Sequence, residues 1–199
     1  MTKLFPAWQT IKVFTELQPV RKVFAFAIKL FSMLTSHELF GFMSPALAGE
    51  ILGFAFEADK PTYKSTLAAV AQARHVRPVF LERHPRSERN ALMVAALAKP
   101  NLEQAAGGLI RVWLVKKQRA MLVDFLTALG IPHNEGVVDD LPPAVDDAKL
   151  KSAVDALVAK YPPEAVSVYL HAFNDMNSAN WMNLKTMLES DSRLQLGAH

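Results

Sequence analysis

The sequence predicts an all-α protein, an irregular bundle of about ten helices. Three observations lead there. Apolar residues return every three or four positions, as in Leu67, Val70 and Ala71 and in Leu150, Val154, Leu157 and Val158, which gathers them on one helix face. Strand signals are missing: no sustained apolar and polar alternation appears, and no Asn-Gly or Asp-Gly hairpin turn is present. Helix punctuation is frequent instead, in capping hydroxyls, prolines at helix starts and a glycine at a helix end.

In chain order the spacing predicts helices over 8–17, 20–34, 36–42, 45–58, 62–75, 87–98, 102–129, 147–160, 163–174 and 180–189. Thr35 with Glu38, and Asn101 with Gln104, have the spacing in which two side chains satisfy orphan amides at a helix start. Ser44-Pro45 places a capping hydroxyl before a proline whose missing N–H is harmless in the first turn. The 102–129 segment is prone to divide in two, because Gly107-Gly108 weakens its first turns and the charged run Lys116 to Arg119 interrupts its apolar stripe. Gly130 followed by Ile131-Pro132 ends it, since glycine accepts the left-handed turn and proline cannot continue.

The stretch from Gly130 to Asp146 holds two glycines, three prolines and three aspartates, the composition of a surface loop. It is expected to divide a larger helical body, 1–130, from a smaller C-terminal helical part, 147–199, with 131–146 as loop or linker and the two parts able to pack as one. The alternative fold is a short α-solenoid of helical pairs, because Lys60-Pro61, Lys99-Pro100 and Lys160-Tyr161-Pro162 each follow an alanine-rich helix end. Their first interval matches a helical-pair period and their second does not.

With 199 residues, 51% hydrophobic, 21% charged and 8 glycines, the chain can build a sizeable core without staples. There is no cysteine, which removes disulfides, thiolate metal sites and cysteine nucleophiles. The longest apolar stretch, Val20 to Leu34, contains Arg21, Lys22 and Lys29 and is too short and too charged to cross a bilayer. Lys3, the run from Val23 to Leu34 and Ala46-Leu47-Ala48 imitate a signal peptide. Lys29 inside the apolar region and His37 and Glu38 ahead of the cleavage site break that pattern. A cytoplasmic location without membrane contact is expected.

Charge is uneven. Residues 1–60 carry 6 basic and 5 acidic side chains, 61–120 carry 11 and 3, and 121–199 carry 5 and 11, giving the net +3 of the whole. Either the basic middle faces an anionic partner, or it faces the acidic end of its own chain.

The densest anomaly is Arg74, His75, Arg77, Arg83, His84, Arg86 and Arg89 around two prolines. Guanidinium forks suit phosphate and carboxylate groups. Arg77, Arg83, His84, Arg86, Ser87 and Arg89 are therefore the candidate ligand-binding residues, with the first amides of the following helix aimed at the same ligand. The competing reading is a solvated loop whose arginines pair with Glu82, Glu88 and the acidic tail. A second basic group, Arg111, Lys116, Lys117 and Arg119, accompanies Trp113. That pattern can track a nucleic-acid backbone, but Trp113 has core spacing and the net charge is modest for such a role, so nucleic acid is disfavoured.

His133, Glu135, Asp139 and Asp140 form the alternative metal or acid–base set, without a recognised ligand spacing. His171 and Asp175 stand four apart on a helix, which serves a metal or a simple intrahelical contact equally well. Gly49 and Gly53 are spaced to admit another helix, and the Phe-rich first third, Phe24, Phe26, Phe31, Phe40 and Phe42, is core or subunit interface. No phosphate-cradling glycine loop, nucleophile elbow or two-histidine zinc motif occurs.

These features favour an interaction or regulatory module without a cofactor, its partner a protein, an anionic small ligand or a second copy of the chain. The runner-up is an enzyme whose site lies between the helical body and the C-terminal part, with His133, Glu135, Asp139 and Asp140 facing Arg83 and Arg86.

Overall fold

A computed structural model describes residues 33–176 and 181–197. Ten α-helices make up most of them: α1 Ser36–Phe42, α2 Pro45–Ala58, α3 Lys60–Ala73, α4 Pro78–Glu82, α5 Arg86–Leu97, α6 Glu103–Val112, α7 Arg119–Leu129, α8 Asp147–Lys160, α9 Pro163–Met176 and α10 Met182–Ser190. Among the described residues there is no strand, and Asn134 and Val137 form an isolated bridge. The all-α expectation holds. The helices expected over 8–17 and 20–34 lie outside the described residues, apart from the last two positions of the second.

Helix starts follow local chemistry. Ser44 accepts the amide of Leu47 at 3.2 Å and starts α2. Asp146 accepts the amides of Ala148 and Lys149, both at 3.0 Å, and starts α8. Asp59 accepts from Thr62 at 3.1 Å, so α3 begins two residues earlier than the spacing predicts, with Pro61 tolerated in its first turn. The short α4 was not anticipated. It has Pro78 at its first position and a single buried side chain, Leu81, too little periodicity to show in the sequence.

The expected 102–129 helix is interrupted at its charged run and not at its glycines. Residues Trp113–Lys117 form a π-helical turn, closed by the amide of Gln118 on the carbonyl of Trp113 at 3.0 Å. The wider turn lets Trp113 and Leu114 stay in the core while Val115, Lys116 and Lys117 turn outward. Gly107 serves packing: a Cβ there would stand 3.3 Å from Ser36 Oγ, where α1 crosses α6.

Helix α1 packs on α5 and α6, and α2 packs on α3, α5 and α6. Apart from α2 with α3, these partners are distant in chain order, which makes a bundle and not a solenoid, where each unit touches only its neighbours. Helices α7 and α8 pack against each other across the Gly130–Asp146 loop, with α9 and α10 closing that side. One continuous apolar core runs through all of it, from Leu39 to Leu194. Polar ties cross it too: Glu164 of α9 receives the amide of Ser44 and, at 2.8 Å, its hydroxyl.

Gly130 ends α7 at φ +71°, and no atom lies within 4 Å of where its Cβ would be. The cost of a side chain there is therefore conformational alone. Gly130→Ala is expected to lower stability by about 1 kcal/mol, measured by urea unfolding.

Candidate functional site

The arginine cluster occupies the corner formed by the end of α3, α4 and the start of α5. Its basic side chains are not drawn to the acidic end of the chain. Arg86 pairs with Glu57 of α2 at 3.3 Å, and His84 Nδ1 lies 3.3 Å from Glu88 one turn on. Arg89 Nη1 donates to the carbonyl of Glu82 at 3.2 Å, and its Nε is buried without a hydrogen-bond partner. Among the described residues, Arg74, Arg77 and Arg83 form no ion pair. The acidic C-terminal region instead uses its own cations, in Lys151 with Asp155, Lys160 with Asp124, and Arg193 with Asp155 and Asp191. Among the described residues no ion pair joins this corner to the acidic end of the chain, and its internal partners are Glu57 and Glu88.

Two guanidiniums at the corner lie on aromatic rings. Arg86 is 4.9 Å from the centroid of Phe56, and Arg83 is 5.7 Å from that of Phe80, which restrains the forks while leaving their edges to solvent. Gly53 makes room for this: a Cβ on it would come within 3.2 Å of Arg86 Nη2. The Gly49 and Gly53 spacing therefore admits an arginine at Gly53, and at Gly49 no atom lies within 4 Å. Exposed apolar side chains share the corner, with Val76, Val79 and Phe80 at 39%, 44% and 51% exposure. Helix α5 begins after Pro85 with no side chain capping it, unlike α2, α3 and α8. The amides of Arg86, Ser87 and Glu88 thus add positive potential where the arginines converge.

The second basic group is neutralised locally. Lys116 pairs with Asp59 at 2.6 Å and Lys117 with Glu50 at 2.9 Å, and Arg119 takes Glu135 at 2.8 Å. The Lys116 ammonium and the Thr62 amide hold the Asp59 carboxyl down to about 2. Trp113 is buried, and its Nε1 donates to Glu50 at 3.2 Å, so it offers no stacking face.

In the 131–146 loop, His133 is occupied by Thr127 Oγ1 at 3.0 Å and by the amide of Gly136 at 3.3 Å. Glu135 turns to Arg119, while Asp139 and Asp140 are exposed. Among the described residues no three His, Asp or Glu side chains gather as a metal would require. Nor is this loop drawn to the arginine corner by any ion pair, since Arg86 turns to Glu57 instead. A cleft of about 500 Å³ between α8 and α10 is lined by Asp147, Lys151, Asn183, Thr186 and Asp191 among others. Its polar groups are engaged within the fold, Asn183 with Val145 and Asp147, Lys151 with Asp155 and Asp191 with Arg193.

One polar constellation was invisible in the sequence. Glu103 of α6 receives the amides of Ser36 and His37, each at 2.9 Å, and His37 Nδ1 at 2.6 Å. Burial pushes its carboxyl up, but these donors outweigh burial and leave it below the ordinary range. It caps α1 from 66 residues away, a distance at which spacing carries no signal. His171 and Asp175 do not act as a pair: burial alone lowers the His171 imidazole to about 4, whereas burial and the Glu103 charge raise Asp175.

In comparisons with protein-family models, curated proteins and solved structures nothing matches this chain, so the reading of the corner rests on its own residues.

Proposed function

We propose that this protein is an interaction module that binds an anionic group through the α4–α5 corner, with Arg77, Arg83, His84, Arg86, Ser87 and Arg89 as the contact residues. The observation that carries this reading is the convergence of guanidiniums at one corner, where Arg74, Arg77 and Arg83 form no ion pair among the described residues and Arg83 and Arg86 lie on aromatic rings. Held on aromatic rings, the forks lose less freedom on binding than mobile lysines would. The uncapped start of α5 contributes further donors to the same space. The chemistry is recognition, not turnover, since no nucleophile with an adjacent base stands at the corner.

Arg77→Ala combined with Arg83→Ala tests it, because neither side chain forms an ion pair among the described residues and the helical content should be unchanged. With fluorescent poly-glutamate as the probe, the double variant is expected to lose binding by about tenfold or more. Wild-type binding should weaken as salt rises. Equal binding by both proteins would remove the corner from consideration.

A further inference from the structure

Resting on that reading, we infer that the partner is an acidic protein segment carrying an apolar or aromatic anchor, its carboxylates meeting Arg74, Arg77 and Arg83 and its anchor meeting Val76, Val79 and Phe80. The two kinds of side chain interleave within ten residues, Arg74, Val76, Arg77, Val79, Phe80 and Arg83 in order. An isolated exposed apolar residue is ordinary on a protein surface. Three within five positions, flanked on both sides by guanidiniums without carboxylates, form a surface that is apolar and cationic at once. Leu81 fixes it: that side chain, 3% exposed, pins α4 to the core and holds Val79 and Phe80 outward.

Charge and shape select among the anionic ligands. A simple phosphate or carboxylate would use the arginines and leave Val76, Val79 and Phe80 wet. Single-stranded nucleic acid needs open ring faces for its bases, whereas the Phe80 and Phe56 rings already carry Arg83 and Arg86, and valines offer no stacking face. An anionic bilayer would find only three apolar side chains to bury, against the long apolar face of interfacial helices. Carboxylates on a peptide match the forks bidentately, and one large apolar side chain among them matches the exposed Phe80 edge.

The closing experiment uses the full chain and four fluorescent probes, read by anisotropy. They are a synthetic Glu-rich peptide with a Leu-Phe anchor, the same peptide with Ser in place of the anchor, single-stranded oligothymidylate, and phosphatidylserine vesicles. The anchored peptide is expected to bind about tenfold more tightly than its serine counterpart. Val79→Ser, at an exposed position that carries no guanidinium and leaves the circular-dichroism spectrum unchanged, should remove most of that difference and leave the serine peptide's affinity as it was. Equal binding of both peptides, weakened alike by the Arg77→Ala/Arg83→Ala variant, would overturn the anchor and keep the anion surface. Preference for the oligonucleotide or the vesicles would overturn the assignment to a protein segment. Failure of every probe to respond to the arginine variant would remove both readings together.

Discussion

Trp113→Ala is expected to lower the free energy of unfolding by about 3–5 kcal/mol, with a fall in melting temperature of about 10 °C or more. The side chain is among the largest fully buried ones and sits where α6 gives way to the π turn. Three losses combine. The transfer free energy of the indole is forfeited, a cavity opens that the core around it can close only in part, and Glu50 loses the donor that fixes it beside Lys117. The π turn is stable because its extra residue lets Trp113 face inward while Lys116 and Lys117 reach Asp59 and Glu50. Without the indole, a regular α-helical turn becomes competitive. Trp113→Phe keeps most of the apolar contact and removes the Nε1 donor, so it should cost about 1–2 kcal/mol, less than half the alanine effect. Urea unfolding of the three proteins measures both values, and an alanine variant within about 0.5 kcal/mol of wild type, the cost of an ordinary surface change, would show that the turn does not depend on the indole.

What could be read from the sequence divides along a physical line. Features set by neighbours a few residues apart were legible: the Ser44-Pro45 start, the Gly130 stop and the stripes of α2 and α8 all appear where spacing puts them. Features set by distant residues were not. Glu103 capping α1, Glu164 reaching Ser44 and the π turn that aims two lysines at Glu50 and Asp59 each join segments dozens of residues apart. The candidate site falls between these cases. The arginines were conspicuous in the sequence, but the pairing of Arg86 with Glu57 and the Phe56 ring beneath Arg86 depend on how α2 and α5 meet. Charge counting could not decide whether the acidic end neutralised the basic middle. Only the ion-pair geometry could, and there the acidic end mostly serves its own lysines and arginine.

Mild acid should destabilise this protein through one buried histidine. His171 lies on α9 at 7% exposure with its Nδ1 unpartnered among the described residues, and burial lowers it from 6.5 to about 4. The folded protein thus keeps the imidazole neutral at a pH where the unfolded chain protonates it. Because the unfolded state then binds the additional proton, stability falls with pH, by about 1.4 kcal/mol per unit, from the unfolded value down to the folded one. The full loss approaches about 3 kcal/mol near pH 4 and grows no further below it. Asp175, one turn away, works in the opposite sense, since its carboxyl is raised above 3.8 by burial and the Glu103 charge and folding therefore favours its protonated form. A comparison between wild type and His171→Leu cancels that contribution and the other carboxylates. Urea unfolding at pH 7 and pH 4.5 should show the wild type losing about 2–3 kcal/mol more than the variant across that interval. Parallel losses would mean that His171 titrates in the folded state as freely as it does in the unfolded chain, and that α9 opens to water far more readily than its packing implies.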